Sequence, residues 1–275
     1  MPFIKSTQSD ATPVNIYYND LGKGKNVVFI HGWPLSSEMW EYQITEFYQK
    51  GWRCITYDRR GFGKSDWPSG GYDYDTLAGD LKSLMEELDL QDVTLVGFSM
   101  GGGEIARYFS LYGGARVSKV VLIGAVVPYM VQTDSNPEGT PKEIFEEIAE
   151  KILEDRPSFL QEFAKTFFGV SLISHPVTDA FLDNNLTRTM NSSPIATVEC
   201  AKSFGFTDFR NDVLSINVPT LIIHGEADQT VPIKASAQQS ARLIPNAILK
   251  VYPGAPHGLW FTEKDKLNQD LLDFI

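Results

Sequence analysis

The chain is poor in the residues that build metal clusters, disulfide frameworks and polyanion-binding faces. Two cysteines, Cys54 and Cys200, and four histidines are spread over 275 residues. The cysteines fall in an expected core strand and an expected helix, without metal-ligand spacing, so they read as two buried, reduced thiols of a cytoplasmic protein. Neither a metal ion nor a cofactor is expected. Basic residues are short as well: Lys and Arg number 24 against 35 Asp and Glu, for a net charge of −11. Nucleic acid and anionic membrane both select basic patches, so neither is expected as a partner. No apolar run approaches the roughly 18–20 residues needed to span a bilayer. The first residues, Met1-Pro2-Phe3-Ile4-Lys5-Ser6-Thr7, offer neither an apolar stretch nor a small-residue cleavage site, and no secretory signal is expected. Internal repeats and low-complexity segments are also missing.

What is present is an ordinary globular composition, 43% hydrophobic and 21% charged. The length admits one large α/β domain with an insertion, or two small domains. Val14-Asn15-Ile16-Tyr17-Tyr18 alternates and reads as a strand, paired with residues 2–7 as an antiparallel edge. Residues 26–30, 53–57, 93–96, 117–123, 218–223 and 247–252 are short, mostly apolar runs that read as strands. Helical patterns separate them, at 38–49, 75–88, 104–112 and 233–243, and a last helix follows Thr262, where Asp265 completes an expected cap. Leu77, Leu81, Leu84, Met85 and Leu88 form the apolar face of one of them. Apolar strands alternating with helices indicate a mostly parallel sheet covered on both faces.

The alternation stops at residues 130–206, where no buried strand is expected. Thr140-Pro141-Lys142-Glu143 supplies an N-cap, a proline at the first helical position and an acid three residues after the cap. A helix then runs to about Glu154, and a second covers 158–168 with Phe159, Phe163 and Phe167 at four-residue spacing. Two more are expected at 179–189 and 194–204. The expected architecture is an α/β core in two parts, 1–129 and 207–275, with an all-helical cap at 130–206 over the carboxyl edge of the sheet.

Gly97-Phe98-Ser99-Met100-Gly101 lies between a strand and a helix and has the G-x-S-x-G pattern of a nucleophile elbow, a sharp turn that presents one strained side chain. A serine hydroxyl needs an adjacent base, itself oriented by a third group. Of the four histidines, His31 and His224 end strands and read as braces, and His175 lies in the cap. His257 follows the last strand in a Pro- and Gly-framed loop and is the candidate base, since the order Ser, Asp, His places the histidine last. The orienting acid is expected after the preceding strand, where Asp228 is preferred and Glu226 is the alternative. Asp58, with Arg59 and Arg60, reads as a salt-bridged scaffold. The oxyanion needs backbone donors, for which Met100 and Trp33 are the candidates. Pro34 restricts Trp33 to an extended conformation, so a rigid loop with the Trp33 carbonyl facing the site is expected. That carbonyl is a candidate acceptor for a small nucleophile such as hydrogen peroxide.

His31-Gly32-Trp33-Pro34, Asp58-Arg59-Arg60-Gly61-Phe62-Gly63-Lys64-Ser65, the elbow with Gly102 and Gly103, Asp208-Phe209-Arg210, His224-Gly225-Glu226-Ala227-Asp228 and Gly254-Ala255-Pro256-His257-Gly258 share one resemblance. Across essentially its whole length the chain resembles the bacterial arylesterases and cofactor-free haloperoxidases (perhydrolases) of the α/β-hydrolase superfamily. The resemblance implies an α/β-hydrolase fold and hydrolysis of short-chain or aryl carboxylic esters through an acyl-enzyme on Ser99. It also implies a side activity in which hydrogen peroxide replaces water and gives a peracid that oxidises halide, with neither metal nor haem. Some relatives open lactones or γ-lactams, and many assemble as trimers or dimers of trimers, so a homo-oligomer is implied. Val126, Met130, Phe163, Phe167, Phe204 and Val231 match the family's acyl pocket, with Trp33 at its wall. Thr230 departs from the more apolar residue common there. A serine at the elbow argues against haloalkane dehalogenases and epoxide hydrolases, which carry aspartate. A lactonase, a γ-lactamase and a non-catalytic binding protein are the alternatives.

Overall fold

A computed structural model describes residues 2–7 and 13–275; Met1, in the expected N-terminal segment, lies outside them. Eight strands form one sheet: β1 (Phe3–Ser6), β2 (Val14–Leu21), β3 (Asn26–Ile30), β4 (Arg53–Tyr57), β5 (Val93–Phe98), β6 (Val117–Ile123), β7 (Thr220–Gly225) and β8 (Ile248–Tyr252). Their order is β1-β2-β4-β3-β5-β6-β7-β8. The expected antiparallel edge is there: β1 pairs with β2, and β2 runs antiparallel to β4. All other neighbours are parallel.

The period-two geometry of a strand sends successive side chains to opposite faces. In β3, Val28 and Ile30 join a core cluster with Leu77, Leu81, Ile105 and Phe109, while Val27 and Phe29 join another with Phe47, Leu267 and Leu271. The first group of partners belongs to α2 (Tyr74–Glu87) and α3 (Met100–Tyr112), the second to α1 (Glu41–Gln49) and α10 (Lys264–Phe274). Both faces are thus covered, which is why the strands read as continuous apolar runs.

Between β6 and β7 come α4 (Lys142–Phe168), α5 (Asp179–Met190), α6 (Pro194–Phe206) and the short α7 (Arg210–Val213); α8 (Ala237–Leu243) and α9 (Leu259–Thr262) complete the chain. The two expected helices at the start of the insertion are one path with a break. Asp155 leaves helical geometry (φ −151°, ψ 84°), and its Oδ1 accepts the Ser158 N–H at 3.0 Å, capping the second half beside Pro157. Across the break Arg156 donates to the Ser192 carbonyl at 2.7 Å, tying it to the segment before α6.

Several local expectations are corrected. Thr140 does not cap α4. Its backbone pairs with the preceding segment, donating to Met130 O and accepting from Gln132 N, both at 2.8 Å, and the helix starts later, at Lys142. Thr262 ends α9 instead of capping α10, because a helical turn already occupies 259–262. Residues 233–236 precede α8 without joining it. Helix α3 begins at Met100, earlier than the apolar pattern at 104–112, because glycines 101–103 carry no side chains in which periodicity could show. The expected salt-bridged scaffold around Asp58 is present, with partners drawn from elsewhere in the chain: Asp58 accepts the backbone N–H groups of Ser37 and Lys64, both at 2.8 Å. Arg59 instead pairs with Glu104, and Arg60 with Asp80 through two 2.7 Å contacts. Removing one member of such a buried pair typically costs about 3–5 kcal/mol.

Both cysteines are buried and free, and burial pushes their thiols up to about 12, so they are protonated near neutrality. Among the described residues no helix is long and apolar enough to cross a membrane.

Candidate active site

The site begins where β5 stops. Ser99 follows Phe98 with φ 53° and ψ −117°, a conformation disfavoured for any L-residue except where the surroundings enforce it. They do so through hydrogen bonds on both sides: Ser99 N–H donates to Ile123 O at 2.9 Å, and Ser99 O accepts from Gly102 at 3.0 Å. Two glycines make the turn sterically possible. A Cβ on Gly97 would lie 2.8 Å from the Gly101 carbonyl oxygen, and one on Gly101 would lie 2.7 Å from the Ile30 carbonyl oxygen. The serine is thereby aimed along the N-terminus of α3, where unpaired N–H groups and the helix dipole favour negative charge.

His257 comes from the loop after β8 and is fully buried. Its Nε2 is 2.9 Å from Ser99 Oγ, and its Nδ1 is 2.6 Å from Asp228 Oδ2. The ring is held between Phe98, at 4.8 Å between centroids, and Phe167 of α4, edge-on at 4.7 Å. Gly258, the next residue, donates to Phe167 O at 2.7 Å, so the second half of α4 is clamped to the histidine loop.

Asp228 follows β7. Its Oδ1 accepts the N–H groups of Thr230 at 2.9 Å and Val231 at 2.8 Å. His224 Nε2 donates to Val231 O at 2.8 Å and stands 3.3 Å from Asp228 Oδ2. Burial works against the carboxylate charge. The facing His257, with hydrogen bonds from His224 and His257, nevertheless holds the Asp228 pKa well below the usual carboxylate range. With Nδ1–H directed at this anion, Nε2 is left to accept the Ser99 proton. Glu226, the alternative acid, is exposed and accepts from Gly254 N at 3.2 Å, away from His257.

Met100 opens α3, so its N–H is among those a helix leaves unpaired. Trp33 lies in the loop after β3, joined to Pro34 by a cis peptide bond, and its indole N–H donates to Thr197 O of α6 at 2.9 Å. His31 braces this loop as expected: Nε2 accepts the Arg59 N–H at 2.9 Å, and Nδ1 donates to Gly32 O at 2.8 Å. Burial and the adjacent Arg59 charge keep the His31 pKa well below its ordinary value. His175 is exposed in the loop between α4 and α5.

Ser99 opens into a cavity of about 760 Å³ between the sheet edge and the inserted helices. Trp33, Val126, Phe163, Phe204 and Val231 line it, as the sequence led us to expect. Met130 and Phe167 do not. Met130 packs into the hydrophobic core, and Phe167 spends its ring on His257, Phe98 and Phe168. The sequence reading missed Ile144, Phe145 and Ile148, from the first half of α4, and Phe159. Their helical spacing marks an apolar face, but only the folded chain aims that face at Ser99. Thr230 also lines the cavity, and its hydroxyl is buried without a hydrogen-bond partner. Among the described residues no cluster of three or more His, Cys, Asp or Glu side chains could hold a metal ion.

Comparison with known proteins bears on the family and the fold. The family model for the alpha/beta hydrolase fold matches residues 25–264. A non-heme haloperoxidase of Rhodococcus erythropolis is 45% identical, over 100% of this chain and 99% of that protein. A bifunctional esterase/perhydrolase of Acinetobacter calcoaceticus is 40% identical over 95% and 96%. Among solved structures, a bromoperoxidase from Bacillus anthracis superposes with a TM-score of 0.94 at 46% identity, covering 99% of both chains. An esterase from Exiguobacterium antarcticum gives 0.93 at 35%, covering 99% of this chain and 98% of its own.

A serine at hydrogen-bond distance from an imidazole acceptor is a nucleophile–base pair. The Asp228 pKa is held well below the usual carboxylate range, so this group is an anion at neutral pH, and Asp228→Asn, which keeps the shape and removes the charge, is expected to slow reaction with an organophosphorus probe by up to about 10⁴-fold. Equal labelling of wild type and Asp228→Asn would take Asp228 out of the site.

Proposed function

Since this chain belongs to the alpha/beta hydrolase family, we propose that it is a serine carboxylesterase, acting on short-chain or aryl esters and passing the acyl group to hydrogen peroxide as a side reaction. The observation that carries this reading is the continuous contact from Ser99 Oγ to His257 to Asp228, at 2.9 and 2.6 Å, opening on a largely apolar cavity. The haloperoxidase and esterase/perhydrolase relatives support the same chemistry. Residues 130–206 are read as the cap of a core made of 1–129 and 207–275.

In the proposed mechanism Ser99 Oγ attacks the ester carbonyl while His257 Nε2 takes its proton. Asp228 holds the imidazole tautomer and stabilises the imidazolium. The carbonyl oxygen becomes an oxyanion facing the N–H groups of Met100 and Trp33, with the α3 dipole behind it. As the C–O bond breaks, His257 returns the proton to the leaving alcohol. In the second half, His257 deprotonates water and the acid departs. If hydrogen peroxide attacks instead, the product is a peracid, which oxidises halide in solution and is itself reduced to the carboxylic acid. Trp33, Val126, Phe163, Phe204 and Val231 would hold the acyl group. A lactonase or γ-lactamase acting through the same three side chains is the second reading, since a cyclic ester or amide presents the same carbonyl carbon to Ser99.

Ser99→Ala is expected to lower ester turnover by at least about 10³-fold without loss of folding. Retained turnover would assign the nucleophile elsewhere. Rates over aryl acetates, butyrates, lactones and γ-lactams separate the two readings, the first requiring the acyclic esters to be faster. Replacing Pro34, which we read as fixing the Trp33 carbonyl towards the site, is expected to change the ratio of perhydrolysis to hydrolysis in peroxide. An unchanged ratio would remove that carbonyl from peroxide selection. We also read the protein as a homo-oligomer, supported by Leu172 and Ile173, 99% and 96% exposed at a loop tip. Light scattering should give a mass above the 30.8 kDa of one chain, and a monomer would overturn this.

A further inference from the structure

The two proposed oxyanion donors belong to separate parts of the chain. Met100 opens α3, and Trp33 lies in the loop after β3. Donors stabilise a developing charge only where both stand at the right place before the reaction begins. The sheet fixes β3 beside β5, but neither donor lies in a strand. Something else must hold the loop to the helix.

A line of buried polar contacts spans this gap. Glu104, one turn into α3, is 0% exposed. Its Oε2 accepts the Tyr57 hydroxyl at 2.6 Å, and its Oε1 accepts Arg59 Nε at 2.7 Å, with Arg59 Nη2 closing the ion pair. The same Nη2 donates to the His31 backbone carbonyl at 2.7 Å. Arg59 N–H donates to His31 Nε2 at 2.9 Å, and His31 Nδ1 donates to the carbonyl of Gly32, the residue before Trp33. The first turn of α3 is packed against the same loop: a Cβ on Gly101 would meet His31 O at 3.1 Å. One guanidinium thus grips the helix through Glu104 and the loop through the His31 backbone.

We propose that Glu104 is a positioning residue for catalysis: with Arg59 it sets the separation between the Met100 and Trp33 amides. This rests on the reading of those amides as the oxyanion donors. A buried ion pair is a poor source of stability, since its desolvation offsets much of its attraction and apolar replacements are often as stable. Its advantage here is direction. The planar fork of Arg59 satisfies a carboxylate and a backbone carbonyl at fixed angles, which an apolar contact of equal area would not do.

The test compares Glu104→Gln with the double variant Glu104→Gln/Arg59→Met in ester hydrolysis, thermal melting and binding of phenylboronic acid, which forms a tetrahedral adduct on an active serine. Glu104→Gln is expected to lower kcat by about tenfold, short of the roughly 10²–10³-fold loss on deleting a donor outright. KM should stay within about twofold, and boronate affinity should fall in step with kcat. The double variant leaves no buried charge unpaired, so its melting temperature should recover towards the wild type while kcat stays low. Recovery of kcat together with the melting temperature would reduce the pair to a structural role and overturn the proposal. So would a Glu104→Gln enzyme with unchanged kcat and boronate affinity. If Glu104→Gln does not fold, the double variant alone decides. If wild type and Ser99→Ala bind boronate equally, the reading of the site itself fails, and the clamp fails with it.

Discussion

The site depends on keeping a carboxylate ionised where water does not reach it. An isolated buried anion would take up a proton, and Asp228 escapes this because both its oxygens are engaged. Oδ1 receives two backbone N–H groups from the turn that follows, and Oδ2 receives His257 with His224 nearby. The turn, the strand end and two histidines are therefore arranged around one charge. His257 inherits its orientation from that charge, and Ser99 inherits its partner from His257. The strained backbone at Ser99 supplies the remaining element, a hydroxyl held where the helix N-terminus, the imidazole and the cavity coincide.

Much of the fold was legible because the strands are buried on both faces. Runs such as Asn26–Ile30 and Val117–Ile123 have no alternation to confuse and are closed by turn residues, so their limits coincide with the observed ones. The positions of Ser99, Asp228 and His257 were legible for a related reason: in an open parallel sheet, residues just past the carboxyl ends of strands gather at one edge. What could not be read were contacts between side chains distant in sequence. Asp58, Arg59 and Arg60 are adjacent and oppositely charged, yet their partners are backbone amides, Glu104 and Asp80, chosen by packing. His224 ends a strand and reads as a brace, but its closeness to Asp228 depends on the path of the 225–231 turn.

The cavity lining marks the same limit. Phe163 and Phe204 announce apolar helix faces, and so does Phe167, but its ring is spent on His257. Ile144, Phe145 and Ile148 carry an equally plain apolar face and line the cavity that Phe167 leaves. Periodicity reports that a face is buried without reporting what it is buried against.

The break at Asp155 gives the two halves of α4 different freedoms. The second half is fastened to the chemistry, since Phe167 flanks His257 and its carbonyl holds Gly258. The first half touches the cavity but makes no contact of this kind. Substitutions at Ile144, Phe145 or Ile148 can therefore reshape what fits beside Ser99 without retuning the groups that act on it. A chain built this way can diversify its substrates along one helix while its reaction stays the same, and the discontinuity in that helix separates the two.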